Sequence, residues 1–338
     1  MPPQTSLHDA PPEWGRARRT SSCALRRYFA TVVTCIAVAQ SPAQPVVDHH
    51  QHLFSPRIAE LTPNTQPITA DNLITLLDAA GIERAIVLSV AYQFSNPNRA
   101  PVANEYEAVA AENDWTSQEV ARFPGRLRGF CSVNPLRAYA VEEVSRCAGD
   151  AQLGLGIKLH LGNSDVDLRQ PEHVDQLRRT FATANDRGMA VLLHLRPSVT
   201  MRRAYGAAEV SVFLTRVLSA APDVPVQIAH LGGSGGYDDP AVDEALGVFV
   251  EAIARDDPLT DRLYFDVSGV AGIGAWTADK AEQVATRIRQ LGLERVFYGS
   301  DAAVPGNSPL EAWQNFKSMP LAASELITIE GNIAPYAR

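Results

Sequence analysis

The sequence predicts an α/β fold, a single (β/α)8 TIM-type barrel. Eight short, apolar, β-rich runs recur between residues 46 and 302, with starts 29 to 43 residues apart, the length of one βα unit. A helical pattern follows each run. His, Lys and Asp residues gather at the C-terminal ends of the runs, where barrels of this class carry their chemistry. A doubly wound open sheet is the competing architecture, but no G-x-G-x-x-G loop follows the first run.

The runs are, in order, "VVDHHQHLF" (46–54), "RAIVLSVAY" (84–92), "LRGFCSVNP" (127–135), "GIKLHLGN" (156–163), "AVLLHLRPS" (190–198), "VQIAHLGG" (226–233), "LYFDVSG" (263–269) and "VFYGSDA" (296–302). The first starts on the β-branched pair Val46-Val47 after Pro45, a natural strand start. Between the runs, Thr69 caps a helix with Leu73, Leu76, Leu77 and Ala80 on one face, and Gly81 ends it. Pro171 opens a second helix with a Val174, Leu177, Phe181, Ala184 stripe, stopped at Gly188. Residues 240–255 and 278–292 repeat the pattern.

Composition is that of an ordinary globular chain: 338 residues, 46% hydrophobic and 20% charged, enough for one large α/β domain. Net charge is −8, so there is no global basic field and no nucleic-acid partner is expected. The cysteines lack zinc-finger spacing. Cys23 and Cys35 fall in the N-terminal segment; Cys131 and Cys147 remain in the body. One disulfide is open to that pair, although two cysteines at unrelated positions are more commonly free.

Residues 1–39 have the order of a secretory leader. Arg16, Arg18, Arg19, Arg26 and Arg27 form a basic region, "YFATVVTCIAVA" (28–39) is apolar, and Ala37-Val38-Ala39 is a small-residue cleavage site. Arg26-Arg27 before Tyr28-Phe29 resembles a twin-arginine signal. The apolar run is too short to span a bilayer comfortably. The expected organisation is therefore a leader at 1–39 and a barrel at 40–338, exported to a periplasmic or extracellular space, with no stable membrane insertion once the leader is removed.

Strand alternation puts Asp48, His50 and His52 on one face of the first strand and His49 and Gln51 on the other. Two imidazoles at i and i+2 stand roughly 6.5–7 Å apart at the backbone, and both can reach one metal ion at about 2.0–2.1 Å. Lys158 and His160 end the fourth run, His194 and Arg196 the fifth, His230 the sixth and Asp301 the eighth, with Asp266 on the seventh. Singly, each has an ordinary reading as a satisfied core residue, a turn residue or half of an ion pair. Scattered ordinary roles do not predict convergence of so many N and O donors on one barrel mouth. The set suits Zn2+ or a similar divalent ion.

The ordered motifs resemble the amidohydrolase superfamily, in the branch called amidohydrolase-related or amidohydrolase 2, across about residues 46–338. They are "VDHHQH", "ENDWTSQEVARFPGRLRGFCSVNP", "GIKLH", "LLHLR", "IAHLGG", "YGSD" and "EGNIAPY". The resemblance implies His50, His52, His194 and Asp301 as metal ligands. Asp301 also accepts the proton of the attacking water, and His230 is an acid/base or substrate-polarising residue. It favours one divalent ion, Zn2+ first and Mn2+ second, with a second ion bridged by carboxylated Lys158 as the binuclear variant. His160 is a ligand, a substrate contact or neither.

The implied activity is metal-dependent hydrolysis of a small-molecule amide, ester or lactone. Arg196, on the same face as His194, together with Arg202 and Arg203 suits a carboxylate-bearing substrate. The strand-6 loop "GGSGGYDDP" is glycine-rich enough to act as a lid. Two alternatives remain: non-oxidative decarboxylation of a small carboxylic acid by the same metal, and a non-catalytic exported binding protein. A homo-oligomer is compatible with the sequence.

Overall fold

A computed structural model describes residues 44–61, 65–237, 239–272, 276–302 and 307–338. The proposed leader at 1–39 lies outside them, as does Asp238 of the strand-6 loop.

Eight parallel strands follow one another in sequence order: β1 Val47–Gln51, β2 Arg84–Leu88, β3 Leu127–Ser132, β4 Gly156–His160, β5 Ala190–His194, β6 Val226–Ile228, β7 Leu263–Asp266 and β8 Val296–Phe297. The barrel is drawn shut between β8 and β1, where His49 N donates to Tyr298 O (3.0 Å) and Asp301 N donates to His50 O (2.9 Å). All eight expected strands are present. Each ends short of its apolar run, because the last residues of the run turn over the barrel mouth.

Helices fill the connections where the pattern placed them. Ala70–Ala80 begins with Asn72 Oδ1 accepting the Thr69 N–H at 2.9 Å and ends at Gly81, whose φ of 71° is left-handed. Pro171–Asp186, Pro240–Ala254 and Ala278–Leu291 match the expected spans to within a residue or two. Their apolar stripes (Leu73 and Leu77, Val174 and Phe181) pack on the outward strand residues, among them Val87, Ile157, Leu159, Val191 and Leu193. Each such side chain contributes roughly 1.5–3 kcal/mol by leaving water.

A second, inner layer fills the barrel. Ile86, Leu88, Phe130, Leu192 and Phe297 point inward, and the C-terminal Ala334, Tyr336 and Ala337 pack among them. Gly156 makes room for this layer: a Cβ there would lie 2.5 Å from the Phe130 ring.

Two expectations need correction. Strict alternation on β1 fails, because the β1–β2 register is irregular between Asp48 and Gln51. His49, two residues after the inward Val47, and His50 consequently both enter the interior. The His49 ring stacks on Phe297 at 4.9 Å, and its Nδ1 lies 2.9 Å from Tyr298 O. Asp48 does not join the histidine cluster; it accepts from Ser300 N (3.0 Å), His50 N (3.1 Å) and Gln51 Nε2 (2.9 Å), tying β1 to the segment after β8. The second correction concerns the cysteines. Cys131 on β3 and Cys147 on the helix Ala140–Ala148 form a disulfide, with Cα atoms 6.1 Å apart. The βα turn brings the two together, a juxtaposition that spacing alone does not reveal.

The disulfide closes a loop with a sequence separation of 16, which corresponds to about 3 kcal/mol of unfolded-chain entropy. Replacing both cysteines with alanine should lower the unfolding free energy in urea by about that amount. An unchanged unfolding free energy would contradict the bonded pair.

Candidate metal centre

The mouth of the barrel is organised around a buried carboxylate. Asp266, at the end of β7, is 0% exposed. Its Oδ2 accepts from His50 Nδ1 (3.1 Å) and Gln227 Nε2 (2.7 Å). Its Oδ1 accepts from His230 N (3.0 Å), Ser268 N (3.1 Å) and Ser268 Oγ (2.5 Å). Burial alone would push this carboxyl up, but the neighbouring His50 and His230 and the donor from Ser268 hold it well below the usual range. It stays ionised, and an ionised carboxylate only accepts.

That fixes a tautomer. His50 must carry its proton on Nδ1, so Nε2 presents a lone pair, which faces the Lys158 amine at 3.2 Å. His52 Nδ1 lies 2.7 Å from Leu88 O, and His230 Nδ1 lies 2.8 Å from Ser268 O. A carbonyl also only accepts, so both rings are protonated on Nδ1 as well. Three imidazoles thus turn Nε2 lone pairs toward one carboxylate. Asp301 Oδ1 is 3.5 Å from His52 Nε2 and 3.9 Å from His50 Nε2, and Asp301 Oδ2 is 3.9 Å from His230 Nε2.

These separations are too long for hydrogen bonds. Donors held at about 2.0–2.1 Å around one tetrahedral zinc lie about 3.3 Å from each other, close to what is seen. His50, His52 and Asp301 form one group whose ligand atoms lie within 4.8 Å of each other, and His50, His230 and Asp266 form another. Burial, with the Lys158 charge next, lowers His50 and His52 to about 3, so both rings are neutral as a metal requires. The residues fit a divalent ion.

Other expected site residues fall around this group. His194 joins neither trio; its ring stacks on His160 at 3.7 Å and meets the His230 ring edge-on at 5.0 Å. His160 has the opposite tautomer. Its Nδ1 accepts from Asn163 N at 3.1 Å, so its proton sits on Nε2. Lys158 is buried with Nζ 3.2 Å from His50 Nε2, and burial lowers it to about 8. An ion at His50 would have to displace this amine. Arg196 is tied to Asp239 through Nε (2.8 Å) and Nη2 (2.7 Å) and lies over Tyr205, while its buried Nη1 has no partner. Arg203 is paired with Asp165 at 2.8 Å.

His230 and Asp301 lie just beyond their strands, in left-handed backbone with φ of 56° and 52°. For residues other than glycine this conformation costs of order 1–3 kcal/mol and gathers at functional sites. The hydrogen bond from His230 N to Asp266 and that from Asp301 N to His50 O hold both in place. Gly299 permits the closeness of β8 and β1, since a Cβ there would meet His50 Cβ at 2.7 Å.

Sequence reasoning missed several supporting residues. Gln227 and Ser268 orient Asp266, as above. Glu112, on the helix Glu105–Ala121, accepts from Ser55 Oγ at 2.5 Å and braces the loop that follows His52. Only the period-2 inward position of Gln227 between Val226 and Ile228 offered a signal.

A barrel with a histidine and carboxylate cluster over its C-terminal mouth defines a class of metal-site enzymes. A family model described as amidohydrolase matches residues 47–328, and the chain belongs to that family. By sequence, no curated protein matches the chain. Among solved structures, it is similar to 5-carboxyvanillate decarboxylase from Sphingomonas paucimobilis, at 15% identity over 86% of this chain and 97% of that one (TM-score 0.58). It is similar to a probable 2-pyrone-4,6-dicarboxylic acid hydrolase from Acinetobacter baumannii, at 18% over 84% and 96% (TM-score 0.55). A third is a manganese-bound 5-carboxyvanillate decarboxylase from Novosphingobium aromaticivorans, at 14% over 87% and 96% (TM-score 0.56). At these identities the likeness is one of fold.

Burial pushes Glu112 up from 4.5 to about 7. Below pH 4.5 it is neutral in folded and unfolded chains alike; as pH rises through 7 the unfolded chain is already ionised, so its contribution to stability is lost. Glu112→Gln should remove that loss and make the protein more stable than the parent at pH 8, by up to about 3 kcal/mol. Identical pH slopes in urea unfolding would contradict this.

Proposed function

We propose that the protein is a metal-dependent hydrolase of a small amide, ester or lactone that bears a carboxylate. The observation that carries this reading is the convergence of the His50, His52 and His230 Nε2 lone pairs on Asp301, each ring having its other nitrogen satisfied. His50, His52 and Asp301 would hold one divalent ion, with His194 as the further ligand that the family pattern implies. Zn2+ suits these N and O donors, and Mn2+, present in one structural relative, is the alternative. When bound, such an ion acts as a Lewis acid and lowers the pKa of water from 15.7 towards about 7.

The chain's own residues do the rest. Asp301, 37% exposed at its side chain, is positioned to take the proton of the attacking water and return it to the leaving group. His230, whose Nδ1 faces Ser268 O, presents Nε2 beside it as a proton acceptor. His160 presents Nε2–H and can donate to a substrate oxygen. The unpartnered Arg196 Nη1 offers a donor for a carboxylate, since a buried guanidinium N–H without an acceptor is costly. Lys158 carries either a substrate contact or, carboxylated, a bridge between two ions.

We also propose export. The basic, apolar and small-residue order of residues 1–39 supports it, as does the Cys131–Cys147 disulfide, a bond that persists in oxidising compartments. Among the described residues, no helix is long and apolar enough to cross a membrane.

The test is to incubate zinc- or manganese-loaded protein with lactones, esters, amides and aromatic carboxylic acids, following acid release and CO2 release together. Acid release without CO2 is expected. CO2 release would make the protein a decarboxylase, as two of its structural relatives are named. Asp301→Asn should slow turnover by about 10²–10⁴-fold while metal is retained. His50→Ala should lose both metal and activity; full activity in that variant would end the metal-centred reading.

A further inference from the structure

The last residues of the chain close the bottom of the barrel. Ala334, Tyr336 and Ala337 pack against Val47, Leu88, Phe130 and Phe297. Ala334 N donates to His49 Nε2 at 3.1 Å, and Arg84 Nη1 donates to Ala337 O at 3.0 Å. Phenylalanine would fill the Tyr336 position equally well. The Tyr336 ring meets Phe130 edge-on at 5.0 Å, and its hydroxyl enters an apolar layer where an unpaired O–H is costly.

That hydroxyl is paired. It donates to Gln227 Oε1. The other end of the same amide, Nε2, donates to Asp266 Oδ2 at 2.7 Å, and that oxygen accepts from His50 Nδ1 at 3.1 Å. The chain of bonds runs through the barrel axis from its floor to its mouth, and every member is buried. Its polarity is fixed at both ends. A phenol kept protonated by burial supplies the donor below, and an acceptor-only carboxylate receives above. Gln227 therefore has one orientation, although the two ends of an amide have nearly the same shape.

We propose that Tyr336 is a positioning residue for the metal centre: through Gln227 it fixes the Asp266 carboxylate, and with it the orientation of the His50 ring. This rests on the reading of His50 as a ligand. Removing the hydroxyl leaves Gln227 Oε1 buried without a donor, so the amide loses its anchor at the floor and holds the carboxylate less firmly. Partners of this kind typically change metal affinity 10–100-fold.

The test is Tyr336→Phe in the full-length protein, with two readouts. In metal-free protein, the side-chain 15N and Nδ1–H signals of His50 should shift from their parent positions while the tautomer stays Nδ1–H. In calorimetric titration with Zn2+, affinity should fall 10–100-fold. Ile333→Ala, in the same plug, should lower the melting temperature without altering the His50 signals. Should Tyr336→Phe fail to fold, Gln227→Met breaks the same link and should give a shift of the same His50 signals. Parent-like His50 signals in whichever of these two variants folds would overturn the proposal. Shifted His50 signals in a protein whose parent form binds no Zn2+ would sustain the relay and refute the metal reading instead.

Discussion

A single buried charge sets the terms for the rest of this structure. An ionised carboxylate at the centre of a barrel is tolerable only if its lone pairs are filled, and Asp266 receives five donors from four residues on three strands or the loops that follow them. Each donor is also a constraint. The bond to His50 selects one tautomer, the bond to His230 N steadies a left-handed turn, and the bond to Gln227 reaches down to the floor of the barrel. His50 and the turn at His230 are thereby oriented by the protein itself, leaving the Lys158 amine as the group an arriving ion must displace.

The floor and the mouth are often treated as separate parts of a barrel, one for stability and one for chemistry. Here they share a hydrogen-bonded line along the axis. The C-terminal plug completes the inner apolar layer and also terminates the polar line with a donor, so the same tyrosine serves packing and site geometry. The turn at His230 and the one at Asp301 show the corresponding cost at the other end, with backbone held in a sparsely populated region by bonds to Asp266 and to β1.

Much of this was legible in the sequence. Apolar runs of β-branched residues at βα spacing located all eight strands, and Thr69 and Pro171 located helix starts. The positions of His50, His52, Lys158, His160, His194 and Asp301 at run ends were enough to bring them to one end of the barrel. What the residues did not disclose was anything that depends on contacts between distant segments. The register break on β1 put His49 and His50 both inside the barrel and left Asp48 aside, against strict alternation. The Cys131–Cys147 bond needed the turn after β3 to exist first. His194 stands beside the cluster stacked on His160, a detail of ring orientation that no spacing encodes. Gln227 and Tyr336 act on the site through hydrogen bonds to residues 39 and 109 positions away, and Ser268 through bonds to Asp266 whose importance rests on that distant network.

The account depends on the imidazoles and Asp301 enclosing a common cation. Anomalous diffraction from crystals of the full protein grown with zinc tests it most directly. One peak at bonding distance from His50 Nε2, His52 Nε2 and the Asp301 carboxylate is predicted, at about 2.0–2.2 Å from each. A barrel mouth with no peak, or an ion held only elsewhere in the molecule, would contradict it.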